Sequence, residues 1–245
     1  YRKNLRYIRI FEIGFLIITF LHIFGAISTS SENSSFEYPI GVSQTNIPTR
    51  EKTLINNQKI GVYILDEQVR ALSNNAKLLI LPEGTLNTSF QFEQPSKLDS
   101  LVGGFRKEEG NLKSSLLAFK KGDKKFSNFI DKYRVVPLGE KIPKFLNKIS
   151  KGGLSAVGGI EAGEKQSRFF KLETHPPFAI AICYEISDGI KIRHAVKSGS
   201  EIIISIANLD PYPNQIFHQF LSLARMRSIE NNKDTLIASN TGPSA

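Results

Sequence analysis

The only cysteine of this chain, Cys183, lies in the stretch AICYEIS at positions 181–187, after an apolar run and shortly before Glu185. A lone buried thiol is usually a small hydrophobic core residue. The alternative is a nucleophile. That role requires a base to take the thiol proton, and a cation or amide donors to stabilise the oxyanion formed when the thiolate attacks a carbonyl. The local sequence alone leaves both roles open.

Two other polar stretches contain the residue types that such a nucleophile needs. Glu83 comes directly after an apolar strand in LILPEGTL, and DKYRVVPLGEKIP contains Lys132 followed by Glu140. Sites in α/β proteins are commonly built at the ends of strands. A glutamate, a lysine and a cysteine meet these needs without a histidine. Singly, each has a simpler interpretation, because a glutamate at a strand end or a lysine among lysines is usually a surface residue.

Together, these motifs resemble the nitrilase superfamily, whose members use a Glu–Lys–Cys triad in this sequence order. Within it, the chain is most similar to the apolipoprotein N-acyltransferase family of bacterial membrane enzymes. The resemblance runs from about residue 38 to residue 245. It is carried by GVSQTNIPT, LPEG, DKYRVVPLGEKIP, AICYEI, LARMRSIENN and SNTGPSA. It implies an α/β fold, namely a nitrilase-like α-β-β-α sandwich.

For three matched positions the resemblance implies catalytic roles. Glu83 matches the general base, Lys132 the catalytic lysine and Cys183 the nucleophile. The implied reaction transfers a fatty acyl chain from a membrane phospholipid, through a cysteine thioester, to the N-terminal amine of a diacylglyceryl-cysteine apolipoprotein. The implied partners are therefore the phospholipid donor, the apolipoprotein acceptor and the membrane. The reaction needs no metal or organic cofactor.

Three further residues are expected to support this site. Glu140 matches a second glutamate that lies near the catalytic lysine, and the backbone amide of Tyr184 is the expected second oxyanion donor. Glu185 matches the glutamate that follows the nucleophile in the family. Its alternative interpretation is a residue that only shapes the turn.

Two departures from the family pattern leave other functions open. The chain reads ANLDPY at 207–212 where the family commonly has Ser-Asn-Asp, a small residue and Trp-Phe, and Leu138 replaces a usual Phe. The aromatic residue expected to line the substrate entrance is therefore missing. One alternative is a membrane-tethered nitrilase-type amidase or hydrolase, which shares the first half-reaction. The other is a catalytically inactive nitrilase-like module that binds membranes or partner proteins.

The N-terminal part contains an apolar segment at 10–27, interrupted by Glu12 and His22, that is about the length needed to cross a bilayer. Basic residues precede it, and this predicts a cytoplasmic N-terminus with the rest of the chain outside. We expect the last helix of a truncated membrane domain, with residues 1–35 as helix and linker. A signal peptide cleaved near positions 26–28 is the alternative. The expected location is the bacterial inner membrane, with the catalytic domain on the periplasmic side.

Residues 36–245 read as one α/β domain, which we expect to lack its final strands. Strands are predicted at 38–45, 77–81, 101–105, 114–119, 178–182, 201–207 and 235–239, and helices at 54–72 and 215–229.

The single cysteine excludes an internal disulfide. The net charge of +9 is concentrated at the N-terminus and between residues 113 and 151. Such a surface suits nucleic acid or an anionic membrane. Because no nucleic-acid-binding motif is visible, we expect the membrane.

Overall fold

The computed structural model describes residues 2–28, 37–52, 56–137, 140 and 159–245. The chain divides into two compact units, Tyr1–Glu37 and Tyr38–Ala245. Leu138, which departs from the family pattern, lies outside the described residues.

The first unit contains one helix, α1 (Arg2–Ser28), which covers the apolar segment predicted at 10–27. Its described large apolar side chains are exposed, Phe11 among the most at 76%. Within the ranges that the structure describes, no helix is long and apolar enough to cross a membrane. The expectation of a membrane-spanning helix is therefore not confirmed, although a helix does form there.

The second unit contains a sheet of five strands in the order β1-β2-β3-β4-β5. Its strands are β1 (Ile40–Val42), β2 (Leu78–Leu86), β3 (Ser100–Glu108), β4 (Asn111–Phe119) and β5 (Asn128–Asp131). Strands β1, β2 and β3 run parallel to one another, whereas β3, β4 and β5 form an antiparallel meander. Two helices, α2 (Thr49–Lys52) and α3 (Asn57–Ser73), lie between β1 and β2 in the chain.

Helix α3 covers the outer face of this sheet. It begins after Asn56, whose side-chain oxygen accepts a hydrogen bond of 2.9 Å from the backbone N–H of Lys59, so one of the free amides of the first turn has a partner. Its apolar side packs on residues of the sheet and of the loop that follows β2. The core so formed includes Ile60, Ile64, Leu65, Leu79, Leu81, Phe92 and Phe119.

A second sheet has four strands in the order β6-β7-β8-β9. They are β6 (Phe169–Phe170), β7 (Phe178–Ile182), β8 (Ile202–Ala207) and β9 (Asp234–Ser239). Strands β7, β8 and β9 are parallel, and the short β6 is antiparallel to β7. Helices α4 (Gly189–Lys197) and α5 (Asn214–Asn231) pack on one face of this sheet through Ile192, Ala195, Phe220 and Ala224.

The two sheets pack face to face. Their shared core joins Ile80, Leu101 and Leu116 of the first sheet to Ile180, Ile204 and Ile206 of the second. The order of layers is therefore helix, sheet, sheet, helices. The predicted α/β fold is confirmed, and so is its nitrilase-like layering.

Strand β2 differs from the prediction at the point that carries Glu83. We expected it to end before Pro82, but it continues to Leu86, and its register with β3 shifts between Leu81 and Leu86. The backbone of Gly103 on β3 lies against this irregular stretch. A Cβ atom added to Gly103 would lie 2.3 Å from the carbonyl oxygen of Pro82. Glycine at this position therefore allows the close approach that β2 needs here.

Candidate active site

The carboxylate of Glu83 is buried where the two sheets meet. Its Oε1 accepts hydrogen bonds from the Lys132 ammonium at 2.9 Å and from the Ser114 hydroxyl at 3.1 Å. Its Oε2 accepts one from the backbone N–H of Asn208, directly after β8, at 3.1 Å. Donors from both sheets therefore hold this carboxylate in one orientation.

Lys132 follows β5 directly, and its side chain is fully buried. Its ammonium donates to Glu140 Oε1 at 2.6 Å as well as to Glu83, and Glu140 Oε2 accepts the backbone N–H of Val136 at 2.8 Å. Burial alone lowers the pKa of a lysine, but here the charges of Glu83 and Glu140 outweigh it and hold the pKa of Lys132 well above its usual value. The ammonium is therefore a permanent positive charge inside the protein.

The two carboxylates that share this ammonium have pKa values shifted in opposite directions. Burial opposes the ionisation of Glu83, but Lys132, the Asn208 amide and the Ser114 hydroxyl together lower its pKa. Burial raises the pKa of Glu140, and the nearby charge of Glu83 adds to the rise. The lowered pKa favours the ionised form of Glu83, which is the form that can accept a proton.

Cys183 directly follows β7 and begins a 3-10 turn that spans Cys183–Ser187. Its φ of 52° lies in the left-handed region, which is costly for a residue with a side chain and is common at functional sites. Burial and then the charge of Glu83 raise the pKa of the thiol, and a hydrogen bond with the Glu83 side chain adds to the rise. In the resting state the sulfur is therefore a protonated thiol beside an ionised carboxylate.

Glu185 joins the cysteine turn to the segment that carries the lysine. Its Oε1 accepts the backbone N–H of Tyr133 at 2.7 Å and that of Arg134 at 3.3 Å. Its Oε2 accepts the backbone N–H of Ile182 and the guanidinium of Arg168, both at 3.0 Å. Glu185 is thus buried with partners on both segments, and these contacts agree with a residue that shapes the turn.

Tyr184 lies beside the nucleophile at the surface. Its side chain is partly exposed, and the guanidinium carbon of Arg134 lies 5.0 Å from its ring centroid. The three residues proposed from the sequence for catalysis, Glu83, Lys132 and Cys183, therefore lie together with the supporting Glu140. Tyr184 and Glu185 lie in the turn that begins at Cys183. In the part of the chain that the structure describes, no group of three or more His, Cys, Asp or Glu residues could hold a metal ion.

The chain is similar over its whole length to curated proteins named apolipoprotein N-acyltransferase. It is 56% identical over 244 residues to the one from Prochlorococcus marinus subsp. pastoris, a match that covers 100% of this chain and 49% of the relative. It is 41% identical over 226 residues to the one from Parasynechococcus marenigrum, and this match covers 91% of this chain and 48% of the relative. By sequence, the chain is similar to about half of each of these apolipoprotein N-acyltransferases. It spans about half the length of these relatives.

Solved structures similar to this chain include members of the nitrilase superfamily. An amidase from Nesterenkonia AN1 superposes with a TM-score of 0.56 at 14% identity, covering 83% of this chain and 76% of that one. Nit3 from Saccharomyces cerevisiae superposes with a TM-score of 0.53 at 16% identity, covering 82% of this chain and 74% of that one. At this level of identity the comparison shows the fold alone. No model of a protein family matches the chain.

The family motif at the end of β9 contains a residue that the sequence reasoning missed. Asn240 accepts the backbone N–H of Ile47 at 3.0 Å, and its side-chain amide donates to the Ile47 carbonyl at 2.7 Å and to Asn208 Oδ1 at 3.0 Å. Asn208 in turn donates its side-chain amide to Thr49 at 2.9 Å. These bonds fix the loop whose backbone amide holds Glu83. The SNTG motif could have pointed to Asn240, but a motif does not show which residues Asn240 contacts.

Tyr212 is a second missed residue. The sequence reasoning treated ANLDPY as lacking its aromatic, yet the ring at the end of this stretch interacts electrostatically with the cluster. Burial raises the pKa of Tyr212 to about 12, and the charges of Glu140 and Glu83 add to the rise. Its backbone N–H donates to the Leu209 carbonyl at 2.9 Å, which closes a tight turn at the end of this stretch. The stretch therefore does contain an aromatic side chain that interacts electrostatically with the cluster.

Proposed function

We propose that the protein transfers an acyl chain from a membrane phospholipid, through a thioester on Cys183, to the N-terminal amine of a diacylglyceryl-cysteine apolipoprotein. The observation that carries this proposal is the buried Lys132 ammonium held between two carboxylates, one of which is hydrogen-bonded to the only thiol of the chain. The name shared by the curated relatives supports the acceptor and the reaction type.

The first half-reaction forms the thioester. Glu83 takes the proton of the Cys183 thiol as the sulfur attacks the ester carbonyl carbon of the phospholipid. The Lys132 ammonium and the backbone N–H of Tyr184 stabilise the negative charge on the carbonyl oxygen, and one such donor contributes about 3 kcal/mol. When the tetrahedral intermediate collapses, the C–O bond breaks. The departing lysophospholipid oxygen takes the proton back from Glu83.

The second half-reaction transfers the acyl group to nitrogen. The neutral amine of the acceptor attacks the thioester carbonyl, and Glu83 takes the proton that the nitrogen loses. The C–S bond breaks, Cys183 leaves as a thiolate, and Glu83 returns the proton to it. The products are an amide and the resting enzyme. The same two oxyanion donors serve both steps, and no metal or organic cofactor takes part.

Both proposed substrates carry long acyl chains, so we propose that the reaction takes place at a membrane surface. We place residues 36–245, as the catalytic domain, on the periplasmic side of the bacterial inner membrane. The basic residues ahead of the apolar segment at 10–27 support this orientation. Exposed lysines such as Lys121, Lys124 and Lys125 suit a negatively charged lipid surface.

Radiolabelled phospholipid tests both half-reactions. Incubation without acceptor should leave a hydroxylamine-sensitive label on the wild type and none on Cys183→Ala, which removes a single small side chain. Addition of a diacylglyceryl-cysteine peptide with a free amine should move the label to the peptide as an amide. The same peptide with an acetylated amine is the control. Undiminished labelling of Cys183→Ala would contradict the thioester, and release of free fatty acid without amide would indicate a hydrolase.

A further inference from the structure

Arg168 lies directly before β6, outside every motif that carries the family resemblance, and only 1% of its side chain is exposed. Its Nη1 donates to Glu185 Oε2 at 3.0 Å. Nη1 and Nη2 also donate to the backbone carbonyl oxygen of Asp131, each at 3.0 Å. The guanidinium carbon lies 4.7 Å from the ring centroid of Tyr133, a distance typical of a cation–π contact.

The two acceptors of Arg168 belong to the two segments that the proposed chemistry must bring together. Asp131 is the last residue of β5 and immediately precedes Lys132. Glu185 lies in the turn that begins at Cys183, and it holds the backbone N–H of Ile182 at 3.0 Å. The guanidinium therefore bridges the peptide before the lysine to the carboxylate that anchors the cysteine turn.

Stability alone gives a weak reason for this arrangement. Burying a guanidinium and a carboxylate costs desolvation energy, and well-packed apolar residues often stabilise a protein as well or better. A guanidinium, however, presents several N–H donors in a rigid plane, so it can hold two acceptors at a fixed separation. A lysine ammonium is a single point charge on a flexible stem and cannot replace that geometry.

The carboxylate side chain of Asp131 is held by residues other than Arg168. It accepts hydrogen bonds of 2.7 Å from Arg106 Nε and from the Ser115 hydroxyl. The carbonyl of Lys132 accepts the backbone N–H of Gly163 at 2.7 Å. Arg106, Ser115 and Gly163 thus fix the lysine segment to its own surroundings. Arg168 adds a second tie to the cysteine turn beside the direct bonds of Glu185 to the Tyr133 and Arg134 amides.

We propose that Arg168 is a positioning residue that sets the separation of the Lys132 ammonium and the Cys183 sulfur, acting through Glu185 and the Asp131 peptide. This inference rests on the proposed Glu–Lys–Cys chemistry. It does not depend on which ester is the natural donor. Because Arg168 touches neither the sulfur nor the donor, its loss should lower the rate constant of acylation while donor affinity is kept. A misplacement of about 1 Å can reduce a rate ~100-fold.

The test uses a p-nitrophenyl ester, whose burst of p-nitrophenol reports acylation of Cys183 under single-turnover conditions. Arg168→Met should lower the maximal acylation rate constant by about 10-fold to 100-fold, with the half-saturating ester concentration unchanged within about 2-fold. Arg168→Lys should be impaired as well, because one ammonium cannot hold both acceptors. It also keeps the buried positive charge, so it serves as the second variant if Arg168→Met fails to fold.

Arg227→Met is the matched control. Arg227 is also a buried arginine paired with a carboxylate, Glu230 at 2.8 Å, but both lie on helix α5. Its removal should destabilise the protein to a similar degree in urea unfolding without lowering the acylation rate constant to the same degree. Equal acylation rates in Arg168→Met and Arg227→Met would overturn the proposal, as would a change confined to the half-saturating concentration.

A double-mutant cycle with Glu185→Gln shows whether Arg168 and Glu185 act on acylation through one shared bridge or independently of each other. If both residues act through one bridge, Arg168→Met/Glu185→Gln should be no slower than the slower single variant. Losses that multiply would overturn the proposal. A wild-type protein that shows no burst would overturn both this inference and the triad chemistry. A normal burst without labelling by phospholipid would contradict only the proposed donor and leave the Arg168 comparison intact.

Discussion

The backbone N–H of Asn208 donates to Glu83 across 3.1 Å, and this bond joins the end of β8 in one sheet to the irregular part of β2 in the other. The carboxylate proposed as the base is therefore oriented by a residue of the opposite sheet. It follows that changes in the loops between the sheets should alter the chemistry at the sulfur, even where they do not touch it. This relationship underlies the first prediction.

Asn240→Ala should lower both stability and the acylation rate. The side chain of Asn240 bonds to Ile47, Thr45 and Asn208, and its loss leaves the buried partners unsatisfied at a cost of about 1–3 kcal/mol. The Asn208 amide should then hold Glu83 less firmly. Urea unfolding and the p-nitrophenol burst measure the two effects. Asn74→Ala, at the exposed end of α3, is the matched control, and an equal loss in both variants would contradict a special role for Asn240.

Lys132→Met should reduce acylation about 100-fold, which corresponds to about 3 kcal/mol of transition-state stabilisation. The substitution keeps most of the side-chain stem and removes the charge together with its hydrogen bonds to Glu83 and Glu140. Because the ammonium acts inside the protein, the defect should persist at high salt.

Lys124→Met is the control for that prediction. Lys124 is an exposed lysine of the basic surface, so its loss should weaken only binding to anionic vesicles, by about 1 kcal/mol, and added salt should reduce the difference. Equal, salt-sensitive losses of acylation in the two variants would assign Lys132 to the surface and exclude it from the chemistry.

Ser114→Ala should move the acid limb of the acylation rate to higher pH. The pKa of Glu83 is lowered from 4.5, so the wild-type base is protonated, and the rate falls, only below that pH. The Ser114 hydroxyl stabilises the ionised form of Glu83, and its loss should raise the pKa of that carboxyl. A hydrogen bond of ~1 kcal/mol corresponds to a shift of up to about one pH unit. Burst rates measured against pH test this, and an unchanged acid limb would argue against Glu83 as the base.

Gly103→Ala should lower stability by about 1–3 kcal/mol and slow acylation, because the added methyl group meets the backbone of Pro82 and Glu83. The strand must move, and Glu83 moves with it. Gly61→Ala is the matched control. Its added methyl group would lie 3.5 Å from Phe90, an ordinary contact, and alanine favours the helix by roughly 0.5–1 kcal/mol. Similar behaviour of the two variants in urea unfolding and burst assays would show that the close approach at Gly103 is unimportant.

The sequence predicted the buried strands well because a short, continuous apolar run in a protein of this size can form few structures other than a buried strand. Strand β7 was predicted at 178–182 and observed at Phe178–Ile182, and helix α5 was predicted within two residues of its ends. Strand β5 was missed because it has only four residues, of which two are exposed. So short a strand shows no clear alternation of apolar and polar side chains. Helix α4 was missed because its nine residues include two lysines and an arginine among the apolar positions.

The sequence indicated the residues of the site through their motifs but showed little of the contacts between them. Glu83 and Cys183 each follow an apolar run, which marks them locally, whereas Lys132 is indicated by its motif alone. Arg168 has no such mark, since its partners are Asp131 and Glu185 on two other segments. Only the packing of the two sheets shows that one guanidinium reaches both. The catalytic roles remain predictions until the variants are measured.

The division of the site between two sheets also bears on how the protein is made. Glu83 and Lys132 come from the first sheet, and Cys183 from the second, which is synthesised later. Until the sandwich closes, the nascent chain carries an ordinary thiol with no base and no ammonium beside it. Unfinished or misassembled molecules are therefore expected to be inert toward esters, so that damage to bystander lipids is avoided without a separate inhibitor.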